Sequence, residues 1–260
     1  MIICKSRDEI EKMKKANKTV SIVLNELKNM IKPGVSVELL DKVAEEMIRK
    51  MGGIPAFKGY KPSKFAKKEY PYTICTSINE EIVHGMPVKR ILKEGQIISI
   101  DLGVRVDGYY GDAAITVPVG KISDEAERLI RVTENALFLA IEEVRVGNRI
   151  SDISYTIQSY VESNGFSVIR DFVGHGIGSS LHEEPQIPNF GQPGQGIRIK
   201  EGMTFAIEPM VSMGSYEVEI LEDSWTAVTK DRSFAAHFEH TVAVFSDGPE
   251  ILSLFNSSKN

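Results

Sequence analysis

The stretch ISIDLGVRVDGYYGDAAIT (98–116) constrains the fold more tightly than any other part of this chain. Asp107-Gly108 is a two-residue turn signal between runs of β-branched and aromatic residues at 96–104 and 109–119, and it predicts a hairpin. With the turn there, Asp112 faces Gly103 and Asp101 faces Ala114. The two carboxylates become diagonal neighbours on one sheet face, about 7–8 Å apart at the backbone. Acids converging on a half-buried face repel each other unless a proton or a metal ion intervenes. Aspartates at a solvated strand end are the alternative reading.

Around this hairpin the pattern alternates helix and strand. Ile10, Met13, Ala16, Val20, Val23, Leu24 and Leu27 recur at helical spacing over 6–30. KPGVS breaks that helix, and Ser36 reads as the N-cap of a second one that stops at Gly52-Gly53. A strand is predicted near 72–78, a helix opened by Ser123 to about 145, and another capped by Ser151 that stops at Gly165. The segment 168–250 alternates strands with Gly/Pro-rich loops. A shift of 113 positions overlays Gly34, Val37, Leu40 and Gly52 on Gly147, Ile150, Ile153 and Gly165. This weak repeat favours one domain over 1–260, built from two similar α+β halves at roughly 1–120 and 121–250.

Composition narrows the chemistry. A net charge of −5 provides no global basic field for nucleic acid. Two cysteines are too few for a disulfide framework and suit a reducing cytosol, while no apolar run is long enough to span a membrane. The expected location is cytoplasmic.

Three further segments add donors to the two aspartates. FVGHGIG sets His175 between glycines, TFAIEPM puts Glu208 at the end of an apolar strand, and AAHFEHTVAVF puts Glu239 inside another. Each alone reads as a structural polar group. Together the two Asp, two Glu and one His suffice for a dinuclear site of Mn²⁺, Fe²⁺, Co²⁺ or Zn²⁺. HEEPQ (182–186) is not a zinc-protease helix, because Pro185 forbids it. No serine elbow, EF-hand loop or dinucleotide fingerprint is present.

The segments ICTSINEEIVHGMP, ISIDLGV, YYGDAAIT, VGHGIG, LHEEPQIPNFG, GMTFAIEPM and FEHTV occur in an order that resembles type I methionine aminopeptidases over about residues 5–247. The resemblance implies the α+β pita-bread fold, with two pseudo-symmetric halves around a central antiparallel sheet, in its short bacterial form. It places the family's metal ligands on Asp101, Asp112, His175, Glu208 and Glu239, with Asp112 and Glu239 bridging two divalent ions. It also matches His84 and His182 to the family's two outer histidines.

The implied reaction is removal of an N-terminal methionine by hydroxide attack on the first peptide bond. Glu208 would act as general base, His182 would stabilise the oxyanion, and His84 would contact the amide beyond the scissile bond or help protonate the leaving amine. Tyr60, Tyr70, Cys75 and Trp225 are the implied walls of the methionine pocket, with Phe57 and Leu181 as further candidates. His237, where the family commonly has Gln, is expected on the same strand face as Glu239, as an outer hydrogen-bonding group. His240 faces away.

The connection KPSKFAKKE (61–69) is longer than the family's, which leaves the Tyr60 match open. With Lys58, Lys61, Lys64, Lys67 and Lys68 it reads as a solvated loop or as an anchor to ribosomal RNA. The expected partners are nascent polypeptide N-termini, and the absence of heptads predicts a monomer. The rival readings are a proline-directed peptidase of the same fold and a non-catalytic binding protein.

Overall fold

The structure, a computed structural model, describes residues 2–61 and 68–254, so most of the Lys-rich connection lies outside the described residues. Four helices lie among them: α1 (Arg7–Met30), α2 (Val37–Lys50), α3 (Asp124–Glu142) and α4 (Ile150–Ser163). The strands of the first half are β1 (Ile54–Pro55), β2 (Cys75–Ile78), β3 (Glu81–Val83), β4 (Ile97–Val106) and β5 (Tyr109–Pro118). After α4 come β6 (Ser167–Val168), β7 (Val173–Gly176), β8 (Glu183–Pro188), β9 (Thr204–Ile207) and β10 (Met210–Ser212). The chain continues through β11 (Val218–Ile220), β12 (Ala227–Thr229), β13 (Ala235–His237), β14 (Glu239–Phe245) and β15 (Gly248–Ile251).

Local chemistry explains where the helices begin. Ser6 caps α1 reciprocally with Glu9, satisfying two otherwise orphaned donors. Ser123 caps α3 by accepting from the Ala126 amide. Ser36 stands at the N-cap of α2 without a side-chain bond to the helix. Ser151 does not cap α4, which starts one residue earlier behind Arg149. Its hydroxyl instead exchanges hydrogen bonds with the backbone of Gln195, which docks a distant loop onto the helix start. α2 and α4 have equal lengths and lie 113 positions apart, as do the short strands β1 and β6 that follow them.

Nine antiparallel strands make the main sheet, in the order β1-β4-β5-β14-β9-β7-β8, with β2 beside β4 and β15 beside β14. α1 and α2 pack on one half of it, over Ile98, Ile100, Leu102 and Val104 of β4. α3 and α4 pack on the other half, over Phe205, Ile207, Val242 and Val244. The period-2 alternation of β4 therefore gives its even positions to the helices and leaves Ser99, Asp101 and Gly103 on the opposite face. Two three-stranded sheets, β13-β10-β6 and β11-β12-β3, complete the architecture. No helix among the described residues is long and apolar enough to cross a membrane.

Candidate metal centre

The hairpin register is the predicted one: Asp101 lies opposite Ala114, and Gly103 opposite Asp112. β5 continues the row, because Ala114 is also opposite Glu239 of β14. A line of Cys75, Asp101, Ala114 and Glu239 thus crosses four strands. The small alanine between two acids leaves open space above the sheet, and Asp112 projects on the same face two residues away.

β5 and β14 pair at only two positions, Ala114–Glu239 and Ala113–His240. Threonines stitch both ends of this short seam. Thr241 Oγ1 accepts from the Asp112 amide at 3.0 Å and donates to its carbonyl at 2.8 Å. Thr116 Oγ1 does the same for His237, at 2.9 and 2.8 Å. Across this seam the backbones of Asp112 and His237 are held by threonine side chains rather than by a continuous ladder.

His175 enters from β7, opposite Ala206 of β9. The glycines around it are required by crowding, since a Cβ at Gly174 would strike the Ala206 carbonyl and one at Gly176 the Glu184 carbonyl. Its Nδ1 lies 2.9 Å from the Gly176 carbonyl, so that nitrogen carries the proton and donates it. Burial lowers its pKa to about 3, which leaves Nε2 as a bare acceptor. That acceptor faces Glu208 Oε1 at 3.6 Å, where Glu208 follows the end of β9.

One donor atom each from Asp112, His175 and Glu239 falls within 4.8 Å of the others. Asp101 Oδ1, Asp112 Oδ1, Glu239 Oε1 and His237 Nε2 are buried with no hydrogen-bond partner among the described residues. Each such orphan costs about 1–3 kcal/mol. Burial, reinforced by neighbouring carboxylates, pushes Asp112, Glu208 and Glu239 well above the usual carboxylate range. Burial alone raises Asp101 to about 7. Carboxylate oxygens and an imidazole nitrogen that converge without hydrogen-bonding one another are what a cation would reconcile, so the donor set fits divalent metal.

A cavity of about 420 Å³ opens over these residues and is lined by all five of them together with Phe57, Tyr60, Tyr70, Cys75, His84, Leu181, His182 and Trp225. The implied ligands, the two outer histidines and the implied pocket walls therefore line one cavity, while His237 is not among its lining residues. Tyr70 is buried in the cavity wall, with its hydroxyl proton shared between the Ile74 and Gly85 carbonyls, each 3.0 Å away, and its ring edge-on to Trp225. Burial holds Cys75 as a thiol by pushing its pKa well up, which makes it a packed wall rather than a nucleophile. His84 holds a left-handed backbone with φ of 60°, and its ring stands edge-on to Phe172 at 5.4 Å. His182 stacks obliquely on His175 at 4.3 Å, and its Nδ1 lies 2.6 Å from the Tyr60 hydroxyl.

Some features go beyond the sequence expectations. Phe172, Ile220 and Ser224 also line the cavity. Phe172 heads FVGHGIG, so its proximity to His175 is a usable signal; Ile220 and Ser224 arrive from β11 and its turn with none. His237 does not share a strand with Glu239. The chain breaks at Phe238, which turns inward to the α3/α4 core, so that His237 ends β13 beside β10 and Glu239 begins β14. His240 points away, onto Phe138 and Ser253. In the Lys-rich segment, Lys58 pairs with Glu45 and Lys61 with Glu69. A wider charged groove of about 590 Å³, lined by Arg7, Lys14, Arg145 and Glu250, holds none of the candidate residues.

The profile of metallopeptidase family M24 matches residues 11–245. A methionine aminopeptidase of Clostridium perfringens is 52% identical over 254 residues, covering 98% of this chain and 99% of the relative. Methionine aminopeptidase 1 of Bacillus subtilis is 50% identical over 253 residues, with 97% and 99% covered. Among solved structures, a methionine aminopeptidase from Thermotoga maritima superposes with a TM-score of 0.94 at 48% identity, covering 98% of this chain and all of its own. A prolidase from Pyrococcus furiosus, 20% identical with a TM-score of 0.78, shares the fold.

Proposed function

Because this chain belongs to metallopeptidase family M24, we propose that it is an aminopeptidase removing the initiator methionine from nascent chains with a small second residue. The observation that carries the reading is the neutral His175, its Nε2 lone pair turned to Glu208 amid buried, unpartnered carboxylate oxygens. Asp101, Asp112, His175, Glu208 and Glu239 would hold two divalent ions, of Fe²⁺, Mn²⁺, Co²⁺ or Zn²⁺. When bound, such ions polarise a carbonyl and make a nearby water acidic.

The chain's own groups do the rest. Glu208, its carboxylate 3.6 Å from the Nε2 of His175, takes a proton from the attacking water and returns it to the leaving amine. With Nδ1 of His182 engaged by the Tyr60 hydroxyl, its Nε2–H is free to donate to the oxygen that becomes negative. His84, neutral because burial lowers its pKa to about 4, hydrogen-bonds the next peptide group. Tyr70, Cys75 and Trp225 wall the cavity, which would take the unbranched side chain of the methionine.

The test is product analysis with metal-stripped protein reconstituted anaerobically with each ion, on Met-Ala-Ser and Ala-Pro-Ala. Metal-dependent release of methionine from the first peptide is the expected result. Cleavage only before proline would move the activity to the proline-directed branch, and silence with every ion from folded protein would refute catalysis.

A further inference from the structure

We propose that the open edge of β11 binds the substrate main chain beyond its second residue, taking it up as an added antiparallel strand; the inference rests on the aminopeptidase reading above. β11 ends the order β11-β12-β3, and no strand among the described residues lies on its other side. The Lys230 amide donates to the Glu217 carbonyl and the Leu221 amide to the Thr226 carbonyl, both at 2.9 Å. Val218 stands opposite Thr229 and Ile220 opposite Ala227, so these bonds fix the parity of the ladder. Odd positions of β11 turn their backbone groups to β12. The N–H and C=O groups of Val218 and Ile220 therefore point outward along the open edge.

That edge begins at the cavity. Ile220 lines it and is 51% exposed. Across the small sheet Ile220 shares a row with Ala227 and Val83. His84 follows Val83 and Trp225 lies two residues before Ala227, and both line the cavity, so all three strands meet it by the same end. β11 runs towards that end. A peptide with its amino terminus in the cavity runs the other way, past Ile220 and then Val218, which is the antiparallel sense. Val218 packs on the same apolar cluster as Phe172, a further cavity wall. Tyr216, 42% exposed, continues beyond Val218, with the Arg170 guanidinium 4.1 Å from its ring centre.

An antiparallel partner sets one residue opposite Ile220 and another, two positions along, opposite Val218. Each would exchange two main-chain hydrogen bonds, while the N–H of the residue between them faces away. Chains that begin with methionine differ in later side chains and share only their backbone. Pairing at a strand edge would thus add affinity without adding sequence preference.

Steady-state release of methionine from Met-Ala-Ser amide and Met-Ala-Ser-Ala-Ser-Ala amide by the metal-loaded enzyme tests this. kcat/KM should be about three- to tenfold higher for the longer peptide. Val218→Pro removes one outward N–H and none of the bonds to β12, and proline is tolerated at such an edge position. It should bring the two peptides to within about twofold of each other. Single N-methylation along the longer peptide, from its third residue on, gives an answer that needs no variant: losses should alternate, large at every second position and small between. Equal kcat/KM for the two lengths, a length effect undiminished in Val218→Pro, or N-methylation losses without alternation would overturn the strand edge and leave the aminopeptidase reading standing. No methionine released from either peptide by the wild type would overturn both.

Discussion

Replacing Asp112 by Asn separates a metal cradle from a structural carboxylate, because the two predict opposite signs of stability change. Asp112 and Glu239 present atoms within 4.8 Å of each other, and two full charges at that separation repel by about 3.5 kcal/mol at an effective dielectric near 20. Partial protonation shares out that repulsion, so its relief should stabilise the metal-free chain by about 1–3 kcal/mol. Asn keeps the shape, and Thr241 keeps the backbone bonds on both sides. At about 2–4 °C per kcal/mol for a chain approaching this size, Asp112→Asn should melt roughly 3–10 °C above wild type in EDTA at slightly alkaline pH. The order should reverse with Mn²⁺ present at about a thousandfold its Kd, since ligand at that excess adds about 4.1 kcal/mol to the state that binds it. An Asn variant less stable than wild type in EDTA would refute the reasoning, for it would mean that the carboxylate is satisfied by the protein itself.

Three further expectations can be checked on the same preparation. His182→Ala should lower kcat by about 10²–10³ with little change in KM, and Tyr60→Phe should give a smaller loss of the same kind; a KM effect alone would place both in ground-state binding. Lys5 and Glu183 meet at 2.6 Å with side chains 3% and 10% exposed, so Lys5→Met should cost about 3–5 kcal/mol in urea denaturation by stranding a buried charge. Adding Glu183→Gln should recover part of that loss, and no recovery would show that packing dominates. The third expectation concerns acid. Hydrogen bonds from the Ser6 amide, then from the Tyr109 hydroxyl, hold Glu9 below its ordinary 4.5. A depressed folded-state pKa contributes stability that is present above the unfolded value and lost as pH falls through the folded one. The urea-midpoint gap between wild type and Glu9→Gln should therefore be full at neutral pH and close as pH falls below the ordinary 4.5 and through the lowered folded-state value; a gap independent of pH would remove the carboxylate from the argument.

Much of the site is legible in local sequence, and the reason is physical. Asp107-Gly108 dictates a turn, and a turn dictates register, which is why the residue order alone puts Asp101 and Asp112 on one face. Helices α1 and α3 announce themselves through period and caps. Where the chain's conformation depends on a distant partner, local reading fails. Ser151 has the residue type and position of a cap, but Gln195 recruits it elsewhere. His237 and Glu239 have the spacing of one strand face, but Phe238 follows the apolar core and sends them to different sheets. The Tyr60–His182 bond joins residues 122 positions apart, and no local pattern encodes it.

Anomalous diffraction at the metal edge from crystals grown with Mn²⁺ or Zn²⁺ tests the central claim most directly. Strong peaks within bonding distance of Asp112, His175, Glu208 and Glu239 are expected, with Asp101 completing the set. Full-occupancy ions found only elsewhere, or a cluster left without anomalous density at saturating metal, would contradict a metal centre there and the peptidase mechanism built upon it.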